Sequence, residues 1–260
     1  MIERFDVISV PPREMLSSGY YRTALRISDK TLGYQAQDLV VLCMGRFMTM
    51  IFSDFDGTIT EQETFSMLMK EFAPEAYQRL LPRLLAREIS LREGVPAVIE
   101  TIESSSYPQM IERMAEAPLR PGFPEFLDLL EEYGVPLVVL SGSLEDLVKA
   151  RLAPFSHRIH RIVAAKADTT GPFLRISSDL ADRDELVYKP GVMKRWSDPV
   201  KIAIGDSVTD IAMSKNATMV FARNLLRETL EWEQRPFHAF ESFFDISRFL
   251  ENKWKHEQPS

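Results

Sequence analysis

The rhythm of apolar and polar positions changes at about residue 48. Before it, residues 1–47 combine Pro11-Pro12, charges of both signs and no sustained period. That composition predicts a poorly ordered N-terminal extension that carries no chemistry, with Met44, Met48 and Met50 as alternative starts. From Met48 onward, strand-like and helix-like segments alternate. Short apolar runs at Met50–Ser53, Pro136–Leu140, Val200–Ile204 and Met219–Ala222 read as buried parallel strands. Between and after them, Phe123–Tyr133, Leu144–Leu152, Thr209–Lys215 and Leu225–Glu233 repeat at helical spacing. The alternation predicts an α/β fold of three layers, a parallel sheet between helices. Ligands of such sheets bind at the carboxyl ends of the strands.

Spacing adds a second element. From Asp54 to Ser141 is 141 − 54 = 87 residues, whereas one strand-helix-strand unit needs about 30. The surplus is helical in period over Thr64–Phe72, Glu75–Ala86, Leu91–Ile102 and Pro108–Ala117. An insertion at that point lies above the strand ends and can serve as a lid. Ile159–Ser177, with Thr169-Thr170-Gly171-Pro172 at its middle, reads as a small β-hairpin flap. The expected division is an extension (1–47), a catalytic core (48–62 and 118–255), a helical cap (63–117) and a tail (256–260).

Charge narrows the partners. A formal net charge of −7 and a pI near 5.3 argue against binding nucleic acid. The single cysteine, Cys43, excludes an intrachain disulfide and a cysteine zinc cluster, and it fits a reducing cytoplasm. Leu39–Met44 is too short to span a membrane.

The candidate chemistry sits at four strand ends. Asp54-Phe55-Asp56-Gly57-Thr58 follows the first apolar run, and alternation along a strand turns residues 54 and 56 the same way. Like charges so close are costly unless a cation joins them or one carries a proton. A calcium loop fails on position: glycine is due at the sixth place and glutamate at the twelfth, where Ile59 and Phe65 stand. An ordinary turn remains an alternative. Ser141-Gly142-Ser143 ends the second strand, read either as a capped helix start with Ser143 and Asp146 or as a phosphate-facing turn. Lys189, set before Pro190 and so expected in extended backbone, is either a surface charge or a counter-charge for phosphate. Gly205-Asp206-Ser207-Val208-Thr209-Asp210 repeats the opening pattern, with Asp206 as a hard oxygen ligand and Asp210 orienting it. Each segment alone has a bland explanation, but four coinciding at successive strand ends is improbable.

In order and content, these four segments resemble the haloacid dehalogenase superfamily of phosphohydrolases. The resemblance implies a Rossmann-like three-layer core with a helical cap. It further implies Asp54 as nucleophile, forming an aspartyl-phosphate, and Asp56 as general acid and then base. Mg2+ would be held by Asp54, the Asp56 carbonyl and Asp206. Ser141, Gly142 and Lys189 would grip the phosphoryl group, and Glu63 would contact substrate from the cap side. The cap is similar to that of the phosphoserine-phosphatase-like branch. There, however, a cap arginine receives the substrate carboxylate, and Ser90-Leu91-Arg92 does not align cleanly with it. The pieces Phe72-Ala73-Pro74, Glu93-Gly94-Val95, Lys189-Pro190 and Phe221-Ala222-Arg223 resemble the superfamily's methionine-salvage branch. The implied substrate is a small phosphorylated metabolite. Phosphoserine or a broad set of small esters is the alternative, and a non-catalytic phosphate-binding regulator is the rival from another class.

Overall fold

The computed structural model describes residues 6–8, 24–26 and 49–256, apart from 87 and 183. The chain forms two units, 1–48 and 49–260. In the first, β1 (Asp6–Ile8) pairs antiparallel with β2 (Ala24–Arg26). The rest of the expected extension lies outside the described residues.

The second unit is built on seven strands in the order β6-β5-β4-β3-β7-β8-β9. Central β3 (Thr49–Asp54) runs parallel to β4 (Leu137–Leu144) on one side and β7 (Val200–Gly205) on the other. Beyond β7 lie β8 (Met219–Ala222) and the two-residue β9 (His238–Ala239), both parallel. Beyond β4 lies β5 (Arg161–Asp168), parallel, then β6 (Arg175–Ser177), antiparallel. The expected hairpin over 159–177 is thus β5–β6, and β5 also extends the parallel sheet.

Alternation along β3 explains the layers. Met50 and Phe52 pack with Val138, Leu140, Ala203, Val192 and Met213 on one face of the sheet. Ile51 packs on the other with Val139, Ile202, Ile204, Phe123 and Phe243. Both faces are apolar and both are covered, so β3 is buried along nearly its whole length. Full burial of each such side chain contributes about 1.5–3 kcal/mol.

Between β3 and β4 lie α1 (Thr64–Phe72), α2 (Pro74–Leu85), α3 (Leu91–Ile99) and α4 (Tyr107–Ala115), followed by α5 (Phe123–Tyr133). After β4 come α6 (Glu145–Leu152), α7 (Lys189–Met193), α8 (Asp210–Ser214), α9 (Asn224–Trp232) and α10 (Phe243–His256). Two local expectations are corrected. The capping box is at Ser90 and Glu93, not at Ser143 and Asp146. Strand β4 continues through Ser143 and Leu144, so the serine is still extended when the helix begins. Lys189 is the first residue of α7 rather than an extended lead-in, with Pro190 in the first turn, where its missing N–H removes no helical bond.

Candidate active site

Register brings the motifs together. Asp54 is opposite Leu140, and Ser53 is opposite Ile204, so Asp54 at the end of β3, Ser141 within β4 and Asp206 just past β7 lie at one level on three adjacent strands. The β4 ladder is irregular between Leu140 and Leu144, a bulge of the kind that re-aims residues beside active sites. Gly57 turns the chain after Asp56 with φ +78°, and a Cβ there would lie 2.6 Å from Asp206 Oδ2. Only glycine allows that approach.

Asp54, Asp56, Asp206, Asp210 and Lys189 are all at least nine-tenths buried. Lys189 Nζ donates to Asp54 Oδ1 at 2.5 Å and Asp210 Oδ1 at 2.6 Å. Burial alone would pull its pKa down; the Asp210 and Asp54 carboxylates outweigh that and hold the ammonium charged. Asp210 Oδ2 also accepts the backbone N–H groups of Asp206 and Ser207, each at 3.0 Å. Asp206 receives the Thr58 hydroxyl on Oδ1 and the Asn224 amide on Oδ2, both at 3.1 Å. One carboxylate oxygen from each of Asp54, Asp206 and Asp210 lies within 4.8 Å of the others. Burial, reinforced by Asp210, raises the Asp54 carboxyl well above its ordinary value. The same two causes push Asp206 up to about 6. Hard oxygen donors crowded together and resisting ionisation fit a divalent cation such as Mg2+.

Asp56 is built differently. Its Oδ1 accepts from the Thr64 hydroxyl and from Phe65 N–H at 3.1 Å, and its Oδ2 accepts from the Ser141 hydroxyl at 2.9 Å. Burial, then the nearby Glu63 charge, pushes it up to about 7 despite the Thr64 and Ser141 bonds. A carboxyl poised there can donate a proton at neutral pH and take one back.

The expected residues converge, with two departures in detail. Ser141 turns its hydroxyl onto Asp56, while Gly142 and Ser143 reach the cavity. Glu63 lines that cavity and also caps α1, its Oε2 accepting Ser66 N–H at 2.8 Å. The cavity, of about 130 Å3, has Asp54, Asp56 and Lys189 among its polar lining. Phe65, Leu91, Val95 and Leu186 supply apolar wall. Arg92 is absent from that lining; its guanidinium donates to Asp182 O and its N–H to Asp184 O at 2.9 Å.

Sequence reasoning missed three residues. Arg120 is 5% exposed, and its guanidinium holds the carbonyls of Gly57, Thr58, Thr60 and Glu61 behind the Asp pair. Its signal was the Arg-Pro-Gly start of α5, which reads as ordinary helix punctuation. Asn224, at φ 43°, orients Asp206 and carried no signal beyond a polar residue after a strand. Glu185 lines the cavity from a segment with no motif.

Residues 51–215 match the family of haloacid dehalogenase-like hydrolases, and the chain belongs to that family. Its seven-stranded, mostly parallel sheet is the Rossmann-like α/β fold of that class. The chain is 39% identical over 202 residues to 2-hydroxy-3-keto-5-methylthiopentenyl-1-phosphate phosphatase of Microcystis aeruginosa, covering 77% of this chain and 96% of that protein. It is 34% identical over 209 residues to the protein of the same name from Brevibacillus brevis, covering 77% and 94%. A crystal structure of phosphoserine phosphatase from T. onnurineus superposes with TM-score 0.61 at 20% identity, covering 80% of this chain and 96% of that one. With this family and these relatives, the chain is a phosphoric monoester hydrolase. Among the described residues, no helix is long and apolar enough to cross a membrane.

Proposed function

We propose that this enzyme is a Mg2+-dependent phosphatase acting on 2-hydroxy-3-keto-5-methylthiopentenyl-1-phosphate, the compound named for its relatives. The observation that carries the substrate choice is the cavity lining. Lys189 is the only cationic side chain among the described residues lining it, and Asp54 already engages that ammonium. A ligand with a phosphate at one end and an uncharged methylthio tail at the other matches a lining that combines Asp54, Asp56 and Lys189 with Phe65, Leu91, Val95 and Leu186. Phosphoserine brings a carboxylate that has no counter-charge there, because Arg92 is committed to the 182–184 segment.

Asp54 attacks phosphorus in line with the ester oxygen, which leaves with the proton of Asp56. Asp56, now a carboxylate steadied by Ser141 and Thr64, takes a proton from the water that cleaves the aspartyl-phosphate. Lys189 fixes the Asp54 carboxylate and, with the Gly142 amide, faces the phosphoryl oxygens. Asp54, Asp206 and the Asp56 carbonyl would hold Mg2+, which offsets repulsion between the anionic nucleophile and the anionic phosphate. The Lys189–Asp210 pair and the Thr58 and Asn224 donors keep those carboxylates in place.

Purified protein with Mg2+ is expected to release phosphate from the methylthio compound at least tenfold more efficiently than from phosphoserine, by kcat/KM. Asp54→Asn, which removes the attacking oxygen, is expected to abolish turnover while the fold persists. Equal efficiency on phosphoserine would overturn the substrate choice; an active Asp54→Asn would overturn the mechanism.

A further inference from the structure

Asp56 is held from two parts of the chain at once. Ser141, on β4, donates to its Oδ2 at 2.9 Å. On the other side, Oδ1 accepts the Thr64 hydroxyl and the Phe65 N–H, the latter at 3.1 Å. Thr64 and Phe65 are the first two residues of α1, which opens the helical insertion between β3 and β4. Two acids therefore serve the free N–H groups at the start of α1: Glu63 takes Ser66 N–H at 2.8 Å, and Asp56 takes Phe65 N–H. Thr64 is itself buried, so its hydroxyl has Asp56 rather than water as its partner.

The joint between sheet and insertion lies just before these donors. On the sheet side the two connecting segments pair. Thr60 bridges Leu119, Glu61 N–H donates to Pro118 O at 3.0 Å, and Arg120 N–H donates to Ile59 O at 2.8 Å. Glu61, Gln62 and Glu63, which follow, are exposed. Asp56 is thus on one side of the joint and both Oδ1 donors are on the other. Rotation of the insertion about residues 61–63 withdraws the two donors together and leaves Asp56 with Ser141 alone. A carboxyl oxygen has two lone pairs. Thr64 and Phe65 fill both on Oδ1, so the oxygen with room for a proton is Oδ2.

We propose that Thr64 is a positioning residue for proton transfer to the leaving group: its hydroxyl, brought by the seated insertion, fixes the rotation of the Asp56 carboxyl. The proton passes from Oδ2 to the ester oxygen as the bond from that oxygen to phosphorus breaks and the bond from Asp54 forms. Acid catalysis is then complete only while the insertion is closed over the substrate. This role rests on the assignment of Asp56 as general acid and deepens it.

Propyl phosphate, whose alkoxide needs a proton to leave, and acetyl phosphate, whose acetate does not, provide the test. The ratio of their kcat/KM values reports the proton given to the leaving group. Thr64→Val, which keeps the shape and removes the hydroxyl, should lower the propyl-to-acetyl ratio at least about tenfold. Thr64→Ser, which restores the hydroxyl, should return the ratio to within about threefold of wild type. An unchanged ratio in the Val variant, whether both esters slow or neither does, would overturn the proposal, as would a Ser variant that fails to rescue. Asp56→Ala should speed amide exchange along α1 at least about threefold, while Asp56→Asn, which keeps a carbonyl acceptor, should not. Unchanged exchange in the Ala variant would overturn the link to the insertion. The ester ratio of Asp56→Asn separates the two readings. A ratio that stays at the wild-type value removes Asp56 as the acid, whereas a collapsed ratio there beside an unchanged one in Thr64→Val removes only the role of Thr64.

Discussion

Replacing Arg120 by alanine removes a guanidinium whose partners are main-chain oxygens rather than a carboxylate. Nε donates to Thr58 O at 2.7 Å, and one terminal nitrogen donates to Gly57 O at 2.5 Å, Thr60 O at 3.0 Å and Glu61 O at 3.3 Å. The other terminal nitrogen reaches Glu241 O at 3.4 Å. Charge-assisted bonds contribute about 1.5–3 kcal/mol each, so simple addition over the four loop contacts would give about 6–12 kcal/mol. That sum is too large, because several of the bonds share one nitrogen and water can enter the vacated space. Buried carbonyls left without a donor cost about 1–3 kcal/mol each, less where water reaches them, so about 3–5 kcal/mol is expected for the set. For a unit of this size it corresponds to a fall in Tm of roughly 6–20 °C. The loop from Gly57 to Glu61 also backs Asp56 and carries Thr58, which orients Asp206. The folded fraction should therefore lose at least tenfold in kcat as well. Urea unfolding gives the first quantity, and steady-state rates at a temperature where the variant is folded give the second. Arg120→Lys, with one point donor instead of a planar fork, should fall between. A cost below about 1 kcal/mol with unchanged kcat would refute the reasoning.

Gly57→Ala places a methyl 2.6 Å from Asp206 Oδ2 at a backbone φ of +78°. It should cost about 1–2 kcal/mol from the left-handed conformation. It should also raise the Mg2+ concentration needed for half-maximal rate by roughly 10–100-fold; an unchanged requirement would show Asp206 indifferent to the intrusion. In chelator, Asp56 and Asp206 have folded-state values of about 7 and about 6 against an ordinary 3.8, and Asp54 is also raised. The folded chain therefore binds more protons than the unfolded chain between those limits, and this stability is complete below about pH 4 and lost as pH rises through 6 and 7. Metal-free Tm should fall by on the order of 5 °C between pH 5 and 8, and millimolar Mg2+ should flatten the slope; a metal-free Tm that climbs over this interval would contradict it.

The legible parts of this molecule are those where one residue type has one physical use. Apolar runs located β3, β4, β7 and β8 because buried parallel strands tolerate little else. The surplus between Asp54 and Ser141 located α1–α4, with boundaries that moved by up to three residues, as at Ile99 against the expected Ile102. The acids were legible because unpartnered neighbouring carboxylates are costly anywhere but in a site. The illegible parts depend on tertiary partners. Ser143 reads as a helix cap until β4 is seen to continue past it. Helix α10 has apolar residues at Phe243, Ile246 and Leu250, a helical stripe that lies beyond the elements predicted. Arg120 and Asn224 act on groups 59–63 and 18 residues away along the chain, partners that only the fold brings to them.

The charges of the site couple the binding of metal and phosphate. Asp54, Asp56, Asp206 and Asp210 surround one ammonium, Lys189, so full ionisation leaves 4 − 1 = 3 negative charges, or 2 with the proton held on Asp56. A phosphate dianion entering such a pocket meets repulsion of about 3 kcal/mol for each pair of unit charges some 5 Å apart at an effective dielectric near 20. One divalent cation returns the protonated site to neutrality, leaving Lys189 and the Gly142 amide to attract the anion. Inorganic phosphate should therefore bind at least a hundredfold more tightly with Mg2+ than in chelator, a difference calorimetry resolves without any turnover. By linkage, phosphate should tighten Mg2+ by the same factor. Equal phosphate affinity in the two conditions would mean that protons on the Asp cluster, rather than a metal, relieve the crowding, and the assignment of Asp54 and Asp206 as metal ligands would fall with it.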